Sequence, residues 1–155
     1  MANTIHISVP EQRLELRTAA GDVLFAAPCS TGATGTGCEP GSGRTPLGRF
    51  AIHSKHGENA PLLTVFRARL PVGAYPAASQ GEDAILSRIL TLRGLEPHNA
   101  NTLSRFIYIH GTADTARLGT PVSHGCIRLS PQDAATLFDL VPLHTPVIIS
   151  GTGAP

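Results

Sequence analysis

Phe106-Ile107-Tyr108-Ile109-His110-Gly111-Thr112 and, a short way downstream, Ser123-His124-Gly125-Cys126-Ile127-Arg128-Leu129 are the two strings on which the reading of this sequence turns. The first is a short apolar run of β-branched and aromatic residues, which predicts a buried strand with His110 at its end. In the second, a glycine precedes a cysteine, and the turn it permits can present successive N–H groups to an oxyanion. Thiolate is the reactive form of cysteine, and a neighbouring imidazole is the usual means of producing it near neutral pH. Two polar histidines beside apolar strands would fill a core poorly, so His110 and His124 point to chemistry together with Cys126.

The surrounding sequence fits a mainly β domain. Ile5–Val9 and Leu14–Arg17 alternate on either side of Pro10-Glu11-Gln12, and Ala20-Gly21-Asp22 turns the chain into Val23–Ala27. The 16 Gly and 13 Pro suit short strands and turns. Ser130-Pro131-Gln132-Asp133 predicts a helix start, with Ser130 as N-cap and proline in the first turn. Ala134, Leu137, Phe138 and Val141 give that helix an apolar face, Pro142 ends it, and Val147-Ile148-Ile149 follows as a core strand. Leu62–Phe66 could be a strand, and Pro71–Ala78 reads as loop. Within Glu82–Leu95, Ile85, Leu86, Ile89 and Leu90 fall at helical spacing, although Leu86–Leu92 would equally serve as a strand. Glu96–Leu103 is polar and reads as loop. The 155 residues show no internal repeat or boundary and predict one domain over 1–155 with its core at about 4–150.

Composition removes several function classes. The net charge is +1 without a basic run, Trp is absent, and Tyr and Phe are few, which argues against nucleic acid and an anionic membrane surface as partners. The Gly-rich stretch Ser30–Gly43 is not followed by Gly-Lys-Ser/Thr and reads as a surface loop rather than a phosphate cradle. Three cysteines without CxxC spacing suggest neither a disulfide framework nor a four-cysteine zinc site. Cys29 reads as a small buried filler and Cys38 as a bystander; His6, His53, His56, His98 and His144 read as surface or packing residues. Met1–Val9 has no basic and apolar leader, and no stretch is apolar enough to span a bilayer, which gives a cytoplasmic expectation if Met1 is the natural start.

The two strings resemble the catalytic domain of the peptidoglycan L,D-transpeptidases of YkuD type, in which a His-Gly strand end precedes Ser/Thr-His-Gly-Cys. Gln12–Leu16 is similar to that family's first hairpin, Ser30-Thr31-Gly32 to its next turn, and Thr45-Pro46-Leu47-Gly48-Arg49-Phe50 to its Thr-Pro-x-Gly-x-aromatic segment. The resemblance implies β-sandwich-like mixed sheets with one or two short helices, and makes Leu86–Leu92 a strand beside the site. It implies that Cys126 attacks the diaminopimelate–D-alanine bond of a tetrapeptide stem to give a thioester. His110 would be the general base, and the Gly111 carbonyl would orient its ring. Ser123 and His124 would line the site, and the N–H groups of Gly125 and Cys126 are oxyanion candidates. Arg128 is read either as a substrate-carboxylate ligand, with Tyr108 as a neighbouring substrate contact, or as half of a helix-edge ion pair.

The acyl acceptor defines the activity. Water gives an L,D-carboxypeptidase of muropeptide recycling; an amine gives crosslinks or exchange. The leaderless start and the resemblance of Ser87–Glu96 to the carboxypeptidase branch favour water, with no cofactor and no metal. Two other readings predict different behaviour. A zinc hydrolase built on His110, His124 and Cys126 would be inhibited by chelators, and a non-catalytic muropeptide-binding module would tolerate loss of Cys126.

Overall fold

A computed structural model describes residues 3–79 and 83–151. Met1, Ala2 and Glu82 lie outside the described residues, and with them the first positions of the leader reading and of the Glu82–Leu95 segment.

The framework is a ten-stranded mixed sheet. In chain order its strands are β1 (Thr4–Ser8), β2 (Arg13–Arg17), β3 (Val23–Pro28), β4 (Gly48–His56), β5 (Thr64–Arg67), β6 (Leu70–Ala74), β7 (Ile85–Gly94), β8 (Tyr108–Gly111), β9 (Ile127–Leu129) and β10 (Pro146–Ser150). They run β3-β2-β1-β10-β4-β7-β5-β6, with β8 branching from β7 and carrying β9. Alternation sets the first half: Ile5 and Ile7 of β1 face the same side as Leu14 and Leu16 of β2 and Val147 and Ile149 of β10, and all six are buried. One helix, α1 (Pro131–Leu140), covers this core. Ser130 caps it by accepting the Asp133 N–H at 3.1 Å, as its sequence predicts. Ala134, Leu137 and Phe138 pack with Phe50, Leu90, Ile109 and Ile127 into one cluster.

The 85–94 segment is strand throughout, and the helical spacing of its leucines and isoleucines is overruled. Leu86 through Leu92 are all buried, because β7 is covered on both faces and bonded to strands on both edges. With both faces buried, apolar and polar residues do not alternate along β7, so the period of two that marks a half-buried strand is missing. Pro71–Ala78, read as loop, holds most of β6 and the start of a 3-10 turn at Ala77–Ser79. Its Pro71 and Gly73 are tolerated because β6 is an edge strand. The Leu62–Phe66 strand is real but shifted to Thr64–Arg67. Within Glu96–Leu103, Pro97–Asn99 forms a 3-10 turn. Among the described residues no helix is long and apolar enough to cross a membrane.

One irregularity matters for the site. The pairing of β7 with β8 jumps from Leu86↔Gly111 to Ile89↔His110, so Ser87 and Arg88 bulge out. Ser87 takes φ +74° and its hydroxyl donates to the Leu62 carbonyl. Bulges of this kind locally re-aim side chains, and this one faces the two residues at the end of β8.

Candidate active site

His110 and Gly111 close β8. The imidazole is 4% exposed and its Nδ1 lies 2.7 Å from the Gly111 carbonyl. A carbonyl can only accept, so Nδ1 carries the hydrogen and Nε2 keeps its lone pair. Burial pushes the imidazole down to about 4; the Gly111 bond opposes the shift, Arg128 adds to it, and Asp83 opposes it. At neutral pH the ring is therefore uncharged. Residue 111 must be glycine, since a Cβ there would meet the Leu86 carbonyl at 2.7 Å and the Ser87 hydroxyl at 2.9 Å.

Cys126 ends the turn that enters β9. Parallel pairing sets Ile109 against Ile127 and His110 against Arg128, which places Cys126 beside Tyr108. Its Sγ accepts the Tyr108 N–H at 3.3 Å and lies 3.3 Å from the Phe106 carbonyl, to which the thiol donates. It packs, half-buried, against the small cluster of Phe66, Ile89 and Tyr108. Burial pushes the thiol up to about 11, against the Tyr108 N–H and the charges of Arg128 and Arg105, which lower it. Tyr108 and His110 share a face of β8 by the two-residue period, so thiol and imidazole occupy neighbouring positions. Both are neutral at rest, and the thiol hydrogen-bonds Phe106 rather than the ring.

The turn itself is tightly tied. The Ser123 hydroxyl accepts the Gly125 N–H at 3.1 Å and therefore donates its single hydrogen to the Cys126 carbonyl at 2.6 Å. Gly125 sits at φ +122°, and a Cβ would meet the Arg44 carbonyl at 3.1 Å. One of the two N–H groups read as oxyanion donors, that of Gly125, is thus occupied, whereas the Cys126 N–H has no partner among the described residues.

Beside this turn lies a cavity of about 490 Å³ lined by Asp83, Asp114, Arg117, Val122, His124 and Arg128, among others. His124 is largely exposed, its side chain 86% accessible, with Nδ1 4.0 Å from the Asp83 carboxylate. Arg128 is 3% exposed and pairs with Asp83. Its partner thus comes from the segment before β7, not from the helix edge. Arg117 pairs with Asp114 across one turn, which holds that carboxyl below its usual range. Tyr108 does not line the cavity: its ring is buried, with the hydroxyl 3.4 Å from Arg69, and its contribution to the site is its backbone N–H. Sequence reasoning brought His110, Gly111, Ser123, His124, Gly125, Cys126 and Arg128 together; it missed Asp83 and Asp114, which carry no local motif. Among the described residues no three His, Cys, Asp or Glu side chains form a group that could hold a metal ion.

Residues 2–149 match the YkuD family, the L,D-transpeptidase catalytic domain. A segment of 37 residues, 24% of this chain and 19% of its relative, is 49% identical to the putative L,D-transpeptidase YciB of Bacillus subtilis. Among solved structures, an L,D-transpeptidase of Xylanimonas cellulosilytica superposes with a TM-score of 0.63 at 21% identity, over 96% of this chain and 60% of its own. L,D-transpeptidase 1 of Mycobacterium tuberculosis superposes at 0.56 with 25% identity over 97% and 62%. The L,D-transpeptidase LdtMt1, solved in complex with imipenem, gives 0.61 with 26% identity over 96% and 59%. The chain therefore spans less than two thirds of the length of these relatives. With the family matched across nearly its whole length and the fold shared with solved members, the chain belongs to the YkuD family of L,D-transpeptidase catalytic domains.

Proposed function

We propose that this chain opens an L,D peptide bond in a peptidoglycan stem peptide through a thioester on Cys126, and that water is its principal acceptor. The observation that carries the reading is the anchored imidazole of His110: Nδ1 is held on the Gly111 carbonyl, which leaves Nε2 with its lone pair, on the strand that pairs with the one Cys126 leads into. A base held uncharged by burial accepts the thiol proton as the sulfur attacks, so no resting ion pair is needed. The carbonyl π electrons move to oxygen, and the Cys126 N–H is the donor available to the resulting oxyanion. The imidazolium then returns its proton to the departing amine of the D-residue, the C–N bond breaks and the thioester remains. In the second half His110 takes a proton from water, hydroxide adds, and the thiolate leaves reprotonated with a free carboxylic acid as product.

Water is favoured because the cavity beside the turn is lined by Asp83, Asp114, Arg117 and Arg128, a polar wall that hydrates readily. The reading with an amine as acceptor follows from the name of the family. A disaccharide-tetrapeptide incubated with the protein, alone and with an excess of a second D-amino acid, separates the two: tripeptide indicates hydrolysis, and an exchanged stem indicates transfer. Mass spectrometry after exposure to imipenem, the ligand of a structural relative, tests the nucleophile. The expected product is one adduct on the peptide containing Cys126; an unmodified Cys126 under conditions where its thiol is free would refute the assignment.

A further inference from the structure

A buried polar contact to the Ser123–Cys126 turn comes from a residue 80 positions away in the chain. Thr45 is 0% exposed. Its hydroxyl accepts the Gly32 N–H at 2.8 Å and lies 2.8 Å from the Gly125 carbonyl. Gly125 O can only accept, so the single hydroxyl hydrogen of Thr45 must point to it. The direction of this bond is therefore fixed without any choice of rotor.

That carbonyl shares a peptide plane with the Cys126 N–H. In a trans peptide the C=O and the following N–H point in opposite directions. Pinning Gly125 O toward Thr45 therefore turns the Cys126 N–H away from Thr45, and it is the N–H left without a partner among the described residues. We infer that Thr45 is a positioning residue, whose hydroxyl fixes the Gly125–Cys126 peptide so that the Cys126 N–H is aimed at the developing oxyanion. The inference rests on the thioester reading above.

The rest of the neighbourhood makes the pin rigid. Thr45 N–H donates to the Gly35 carbonyl at 3.0 Å, and its own carbonyl accepts from Gly37 at 2.9 Å, so its backbone cannot drift. Gly32 approaches so closely that a Cβ there would sit 2.5 Å from the Gly43 carbonyl. From the other side Ser123 holds the Cys126 carbonyl at 2.6 Å. Both peptide planes flanking Cys126 are thus clamped, one by each hydroxyl. The Gly-rich stretch Ser30–Gly43, which carries no phosphate motif, has a use in this scheme: it lets the backbone come near enough for Thr45 to brace the turn.

The test compares Thr45→Val, Thr45→Ser and wild type by imipenem acylation, followed by intact mass, and by stem-peptide turnover. Alkylation of Cys126 by iodoacetamide, read on its own tryptic peptide, is the control, since that reaction builds no oxyanion. T45V is expected to acylate about tenfold to a hundredfold more slowly, because a slightly misaimed donor loses much of its effect. That loss should fall on kcat with KM and alkylation within about twofold of wild type, while T45S stays near wild type. Thr45→Ala replaces T45V should the valine variant not fold. Wild-type acylation rates in the folded hydroxyl-free variant, or equal slowing of acylation and alkylation, would overturn the inference while leaving Cys126 as nucleophile. Absence of any adduct in the wild type would instead remove the thioester reading, and the inference with it.

Discussion

The end of β3 and the start of β8 each lie beside a cysteine, and burial raises both thiols, yet the two regions differ in every other respect. Cys29 follows β3 inside the main core cluster, fully buried, and its thiol is pushed to about 12 by burial alone. Its backbone is spent on structure: the N–H donates to Gln12 O at 2.9 Å, and the carbonyl accepts the Gly119 N–H at 3.0 Å. Cys126 sits at the rim, half-buried, and burial takes it to about 11 against an N–H donor and two guanidinium groups. Its backbone N–H has no partner among the described residues. Low dielectric alone makes an inert thiol; what separates the two is a donor at sulfur, an uncharged imidazole two residues along the neighbouring strand and an N–H without a partner among the described residues.

The sharpest way to break this contrast is to remove each sulfur. Cys126→Ala should abolish the imipenem adduct and lower stem cleavage by at least about 10³-fold. Cys29→Ala should leave both within about twofold at temperatures where it is folded. Intact mass and product chromatography read the two variants side by side. Residual adduct in C126A, or its loss in C29A, would exchange the assigned roles.

His110 supplies the next largest effect. His110→Gln keeps a polar side chain but no base, and acylation should fall by about 10²- to 10⁴-fold. In the wild type the base must be uncharged. Since burial holds it at about 4, the acylation rate should be level from about pH 5.5 to 8.5 and fall tenfold per unit below about 4. Stopped-flow acylation across pH checks this. A rate rising steadily with pH through neutrality would mean that solvent, not His110, takes the thiol proton, and the difference between the two cysteine regions would reduce to access.

The same ring should appear in the stability. Its folded value lies below the usual 6.5, so the unfolded chain binds the proton first as pH falls. The contribution is complete above about 6.5 and is lost progressively down to about 4. The shift corresponds to about 3 kcal/mol. Urea melts at pH 7 and pH 4.5 should therefore differ more for wild type than for H110Q, which does not titrate. Equal pH dependence in the two would show that the imidazole is not held neutral in the fold.

How far these regions were legible in the sequence follows from the range of the forces that build them. His110-Gly111 and Ser123–Cys126 are compact strings, and their chemistry shows in a few adjacent residues. The helix after Ser130 announced itself through cap and proline. Cys29 read correctly as filler from its apolar run. Arg128 was singled out, but its partner Asp83 lies 45 residues earlier and becomes its neighbour only when the chain returns through β7. Thr45 was visible as part of Thr45–Phe50, yet its hydroxyl meets Gly125 across 80 residues. The β7 strand and the β6 edge were obscured for opposite reasons: one is buried on both faces, whereas the other, exposed along its length, can hold Pro and Gly.

The smallest effect on catalysis tests whether the Cys29 region is purely structural. Cys29→Ser exchanges a weakly polar sulfur for a hydroxyl in a fully buried place lined by aliphatic side chains. Unless that hydroxyl finds a carbonyl, its desolvation costs about 1–3 kcal/mol, which urea melts would show as a lower midpoint at unchanged slope. Acylation of Cys126 should nevertheless stay within about twofold, because the Gly119 N–H to Cys29 carbonyl bond is made by backbone and survives the exchange. A slowed acylation in folded C29S would mean that strain at the end of β3 travels through Ser30, whose backbone exchanges two hydrogen bonds with Arg128 at 3.0 and 2.9 Å. In that event the two thiol regions would be mechanically coupled, and their separation into core and site would hold for chemistry but not for packing.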